Sequence, residues 1–179
     1  MTRKVDVTGR STGAYRPPGR AKKWQMETPF IYLPSALTDS PSWWGLNPPA
    51  FHFVFFLINE HMRHGGTANG QLLAPYAQLE AVGISSRDIR SAIDMAVAFG
   101  IVRQTHAGER LGGRTGASRF ALAWLPTSDG APPTNGFKAI TQADVRLYVQ
   151  ERKHDRQVKA ASKAARATAA AAGTQPRFI

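Results

Sequence analysis

The chain of 179 residues contains no cysteine, which excludes disulfide bonds, thiolate-bound zinc and thiol catalysis, and agrees with a reducing compartment. Long apolar runs are missing too. The most apolar stretch, residues 50–58, falls far short of the roughly 20 residues that a membrane-spanning helix needs, and no segment has the apolar core of a secretory signal. Acidic residues are scarce, 12 against 23 Lys and Arg, and those present form no evident acid/base pair. No Ser, His and acid arrangement has a local signature. The expectation is therefore a protein without enzymatic activity, cofactor or metal.

The basic excess of +11 is unevenly spread. Residues 1–23 carry seven basic groups and one acid, residues 138–179 carry nine and three, and the stretch between is close to neutral with seven and eight. Such a distribution suits a polyanionic partner met by two arms. The first arm, residues 1–24, contains Gly9, Gly13, Pro17, Pro18 and Gly19 and almost no apolar residue that could order it, so it is read as disordered. Its Arg-rich character also fits a mitochondrial transit peptide, but the Pro-Pro-Gly run opposes the amphipathic helix such a peptide needs. The second arm, residues 138–179, opens on Thr141 and Asp144 in a capping-box pattern, with Val145, Tyr148 and Val149 able to dock its first turns. Beyond them it is rich in Ala, Lys and Arg, and Val158 is its one large apolar group before residue 173. A partly helical, solvated tail is expected, since heptad Leu or Ile for a coiled coil is lacking.

The middle, residues 25–137, reads as one domain. Asn47 and Pro48 open a long helix whose inner stripe is Ala50, Phe53, Val54, Leu57 and Ile58. Phe51, Phe55 and Met62 lie off that stripe, so a second apolar face needs cover. Two arrangements supply it: the Trp43-Trp44 segment with a Phe30 to Leu33 strand of the same chain, or a second copy of the chain as a homodimer. Pro75 to Ala81 forms a short helix with Tyr76, Leu79 and Ala81 inward, and Val82-Gly83-Ile84 turns into the next. There Ser85 and Asp88 predict a capping box. Ile89, Ala92, Ile93, Ala96 and Phe99 form one apolar stripe, and Gly100 stops the helix. Ser86, Arg87, Arg90, Ser91 and Asp94 fall on the other side. Residues 101–106 and 118–124 read as strands around a Gly-rich loop, with Arg103, Arg110, Arg114 and Arg119 on or near the hairpin.

Two weaker patterns are set aside. Residues 108–115 have phosphate-loop spacing with Arg in place of Lys, but strand-like Phe120-Ala121-Leu122 follows where that loop requires a helix. Glu60-His61-Met62-Arg63-His64 has its histidines three apart and in the wrong order for a zinc-protease helix, so they are read as solvated helix-end residues.

Gly83-Ile84-Ser85, the helix ending Phe99-Gly100-Ile101-Val102 and the Arg-bearing hairpin resemble the bacterial winged helix-turn-helix DNA-binding domain. Further upstream, Phe30 to Pro34, Leu37, Asp39-Ser40-Pro41, Trp43, Leu46, Pro48 and Asn69-Gly70 resemble small helix-turn-helix proteins of bacterial genomes and mobile elements. Trp124-Leu125-Pro126 and residues 133–137 fit the same pattern, which covers roughly residues 29–137. The resemblance implies a mainly α fold with a small β-hairpin (α+β), flanked by flexible basic arms. It implies a cytoplasmic, nucleoid-associated protein that binds double-stranded DNA as a transcriptional regulator or mobile-element control protein. A plasmid or phage replication initiator and a non-specific nucleoid-structuring or protein-interaction module are the alternatives. Ser85, Ser86, Arg87, Arg90 and Ser91 would form the recognition helix, and Arg103, Arg110, Arg114 and Arg119 the wing. Backbone contacts would come from Arg3, Lys4, Arg10, Arg16, Arg20, Lys22 and Lys23 in the first arm. In the second they would come from Arg152, Lys153, Arg156, Lys159, Lys163 and Arg166.

Overall fold

Helices meet a small antiparallel sheet in the computed structural model, which describes residues 30–108, 110–111 and 114–172. In chain order the elements are α1 (Ser35–Thr38), α2 (Pro41–Trp44), α3 (Pro48–Arg63), β1 (Leu72–Leu73), α4 (Tyr76–Ala81) and α5 (Ser86–Ala98). They continue with β2 (Val102–His106), β3 (Arg110–Leu111), β4 (Arg114–Thr115), β5 (Arg119–Leu122), a 3-10 turn (Gly136–Ala139) and α6 (Gln142–Ala172). The sheet has the order β1-β5-β2, and β3 pairs with β4 in a separate two-stranded ribbon.

The long helix α3 starts where the sequence places it. Asn47 Oδ1 accepts from the Ala50 N–H at 3.0 Å, and Pro48, which has no N–H to satisfy, occupies the first turn. All five residues of its expected inner stripe are buried, and Phe56 joins them. They pack against α5, which buries Ile89, Ala92, Ile93, Met95 and Ala96. Each large side chain so buried contributes about 1.5–3 kcal/mol relative to exposure, so this helix pair holds much of the core energy.

The second face of α3 is covered from within the chain, though only in part. Trp43 lies edge-on to Phe51, with ring centroids 4.9 Å apart, and near Phe55 at 6.3 Å. Trp44 turns away and is 78% exposed. No strand forms at Phe30 to Leu33. That segment pairs with no strand; Ile31 and Leu33 pack against the core, and the Tyr32 carbonyl accepts from the Trp124 indole N–H at 3.0 Å.

Two glycines shape the exit of α4 and of α5. In each, the last turn closes by paired backbone bonds: Gly83 N–H to Glu80 O and Ile84 N–H to Leu79 O, then Gly100 N–H to Val97 O and Ile101 N–H to Ala96 O. This closure places the glycine in the left-handed region, with φ of +89° at Gly83 and +65° at Gly100. At Gly100 a second constraint adds to the first, because a Cβ there would lie 2.5 Å from the Gly136 carbonyl carbon. Two expectations need correction here. Leu79 alone of α4 is buried while Tyr76 and Ala81 are exposed, since a six-residue helix presents too little length for a full stripe. Ser85 occupies the N-cap position of α5, but its side chain makes no capping bond; Asp88 N–H goes instead to the Ser85 carbonyl at 2.8 Å.

The β2–β5 pair forms within the two runs expected to be strands, with Val102 opposite Leu122 and a bulge at Thr105 between Gln104 and His106. The Thr105 hydroxyl donates to the Gly70 carbonyl at 2.7 Å. Strand β1, which two residues could not announce, pairs on the other side of β5, Leu72 opposite Phe120. Just ahead of it sits Asn69, 1% exposed. Its Oδ1 accepts from the Leu122 N–H at 2.7 Å, and its Nδ2 donates toward the carbonyls of Leu122, Leu125 and Pro126 at 3.0–3.1 Å. One side chain thus holds the end of β5 and the turn beyond it.

Helix α6 begins with the expected reciprocal cap. The Thr141 N–H donates to Asp144 Oδ2 at 2.8 Å, and the Asp144 N–H returns to the Thr141 hydroxyl at 3.3 Å. It is helical through Ala172, and its side chains are exposed from Lys153 to Ala165. Among the described residues no helix is long and apolar enough to cross a membrane.

Asn69→Ala should lower unfolding stability by about 2–4 kcal/mol, because it strands several buried backbone groups at once. Asn69→Asp should do at least as much near neutral pH, where a carboxylate would face three carbonyl oxygens, and recover partly in acid. Urea midpoints with an unchanged m-value check both; a shift under about 0.5 kcal/mol would remove Asn69 from this role.

Candidate nucleic-acid interface

The apolar stripe of α5 fixes which side chains remain outside. With Ile89, Ile93 and Ala96 buried against α3, Ser86, Arg87 and Arg90 are carried outward, and Ser91 sits half-buried at the margin. The Arg87 side chain is 87% exposed and the Arg90 side chain 73%. Ser85, at the cap, is exposed beside them. Of the five residues expected at this face, Ser86, Arg87, Arg90 and Ser91 lie on the first half of α5 and Ser85 stands at its cap.

Asp94 organises this face. Arg90 Nε lies 3.0 Å from Asp94 Oδ1, an i,i+4 pair on the helix surface, and Arg152 Nη2 of α6 lies 3.2 Å from Asp94 Oδ2. One carboxylate is shared between two guanidinium groups from elements far apart in sequence. Arg152 is further held by its Nε–H to the Tyr148 hydroxyl at 3.1 Å, and its guanidinium carbon is 5.5 Å from the centroid of that ring. Tyr148 itself packs edge-on against Phe99 at 5.2 Å. Burial alone would lower the Arg152 pKa, but the Tyr148 hydroxyl and Asp94 outweigh it and hold the group above its usual value. Arg152, expected among the backbone contacts, here links α6 to α5 through Asp94. The Arg87–Asp88 pair, at 3.8 Å between exposed neighbours, is a weak surface contact.

On the hairpin, Arg103 and Arg119 are exposed. Arg119 Nη1 donates to Gln71 Oε1 at 2.7 Å. Asp129 has its pKa lowered chiefly by the Thr127 hydroxyl and then by the Ala131 N–H, with Arg103 a smaller cause. Arg110 and Arg114 stand in β3 and β4, in a ribbon with Arg110 opposite Thr115 and Leu111 opposite Arg114. A strand at Arg114 is incompatible with the helix that a phosphate loop needs. Lys153, Arg156, Lys159 and Lys163 are exposed on α6, and Arg166 lies further along that helix. Arg3, Lys4, Arg10, Arg16, Arg20, Lys22 and Lys23 lie outside the described residues.

The two helix-end histidines separate. His64 Nε2 is 3.1 Å from Glu60 Oε1 at the surface, whereas His61 is 6% exposed and its Nδ1 has no hydrogen-bond partner. The spacing sends His61 inward, one turn beyond Leu57, so it is a core residue rather than a solvated one. Burial, and secondarily the neighbouring His64, lower its pKa. Among the described residues, no group of three His, Asp or Glu side chains could hold a metal ion.

No protein-family model, curated protein or solved structure matches this chain.

Because the folded state lowers the His61 pKa below its usual value, the unfolded chain binds the proton more tightly. The His61 contribution is complete above about pH 6.5 and is lost as pH falls below it. The urea midpoint should therefore drop between pH 7 and pH 5, and His61→Leu should flatten that drop. An equal pH dependence in both proteins would refute the assignment.

Proposed function

We propose that residues 30–137 form a winged helix that binds double-stranded DNA, with α5 in the major groove and the β2–β5 hairpin against the adjoining backbone. The biological role that fits best is transcriptional regulation or control of a mobile element. The observation that carries this reading is the pairing of α4 and α5 through Gly83 with Arg87 and Arg90 outermost on the N-terminal half of α5. A helix-turn-helix reads bases from that half of its second helix. The element order α3, β1, α4, α5, β2, β5, with the sheet ordered β1-β5-β2, suits a hairpin that follows the recognition helix directly.

The Arg90–Asp94 contact gives this reading chemical content. Asp94 takes the Nε edge of the guanidinium at 3.0 Å, so the two terminal amino groups keep the fork that pairs with guanine O6 and N7. An arginine held in this way loses less side-chain entropy on binding than one free to rotate. Arg87, without a comparable anchor, is suited to base or phosphate alike. Fold alone would not license the function, since one architecture serves many roles; the placed arginines supply the local argument.

Selection of binding sites from a random duplex pool tests the proposal, with recovery of a defined motif as the expected result. Arg90→Ala should then cost about 1–3 kcal/mol on the selected duplex and relax preference at one position, with a smaller loss on a scrambled duplex. Equal losses on both would reduce Arg90 to a phosphate contact. Enrichment of no motif would overturn sequence-specific recognition.

A further inference from the structure

The stripe of α6 that docks on the domain changes character along the helix. Val145 and Tyr148 pack inward, Arg152 reaches Asp94, and the same 3- and 4-residue steps then arrive at Arg156, Lys159 and Lys163. At 100° per residue these positions share one face, so the line that is apolar at the start becomes wholly cationic once the helix leaves the core. The acids of α6 in this region, Glu151 and Asp155, fall on the flank rather than within the stripe. The ion pairs among the described residues engage Arg152 but none of Arg156, Lys159 and Lys163.

Direction gives the stripe a destination. Tyr148 meets Phe99, just past the end of α5, and four residues later Arg152 meets Asp94. Between these two contacts α6 therefore points back from the C-terminal end of α5 toward the half that carries Arg90 and Arg87.

We propose that Arg156, Lys159 and Lys163 form a rigid phosphate-binding rail beside the recognition helix, set in phase by the Asp94–Arg152 and Phe99–Tyr148 contacts, and that it grips the DNA backbone flanking the groove α5 enters. The proposal rests on the DNA-binding reading above. It differs from attraction by a flexible basic tail in that the helical phase of the charges matters, not only their number.

Two insertions in the full chain test this at constant charge. Two alanines after His154 rotate the downstream stripe by about 200°, whereas four bring it back to within about 40° of its original face. The measurement is the slope of log affinity against log salt on the duplex selected by the wild-type protein. A third protein, Arg156→Gln/Lys159→Gln/Lys163→Gln, calibrates the loss. The two-alanine protein should lose about 2–3 units of slope, as the triple variant does, and the four-alanine protein should keep the wild-type value. Helix content and urea midpoint establish that each variant folds, and all changes lie beyond the docked turns. Equal slopes for the two insertions would overturn the rail even where the wild-type protein binds DNA well. A wild-type protein that binds neither the selected nor an unrelated duplex would overturn the DNA-binding reading, and the rail with it.

Discussion

The carboxamide of Asn69 is the point on which the sheet depends. It is buried, so its donors and acceptor cannot turn to water, and it spends them on the backbone of Leu122, Leu125 and Pro126. The Asn69 carbonyl accepts in turn from the Ser128 N–H at 2.8 Å. A three-stranded sheet whose first strand is two residues long has too few ladder bonds to define its own register. Asn69 defines it from the side, and Phe53 of α3, edge-on to Phe120 at 5.2 Å, seats the central strand on the helices. The position of the hairpin relative to α5 follows from these two contacts together with the Gly100 turn.

What could be read from the residues alone was whatever repeats locally. The stripes of α3 and α5, the Asn47 cap, the Thr141–Asp144 cap and the Gly83 and Gly100 stops all lie within one or two turns of their causes. The exposure of Arg87 and Arg90 followed from the same periodicity. Pairings across long separations were not legible: Asn69 with Leu122, Asp94 with Arg152, and β1 with β5. Asn69-Gly70 entered the sequence reading only through a resemblance, and only burial shows that the Asn side chain faces inward. Ser85 and Asp88 have the spacing of a capping box, yet the backbone around them forms the first turn without it, since a pattern permits a bond but does not compel one. His61 was assigned to solvent from its motif, whereas its spacing from Leu57 already aligned it with the core.

Asp94 lowers the charge of the outer face of α5 while ordering it. Two arginines converge on one carboxylate, Arg90 at Oδ1 and Arg152 at Oδ2, each through a charge-assisted bond. The exposed face of α5 is thereby coupled to the orientation of α6, although the two helices belong to segments of different composition.

Strand β2 forms an outer edge of the sheet, with four of its five residues exposed. An open edge of this kind presents unpaired backbone groups that invite another strand to add, and a long flat one leads to aggregation. Here the bulge at Thr105 interrupts the hydrogen-bonding rhythm, its hydroxyl is committed to Gly70, and Arg103 places a charge on the strand. The irregularity within β2 also denies a neighbouring strand the regular template it would need, so the same bulge that interrupts the ladder guards its open edge.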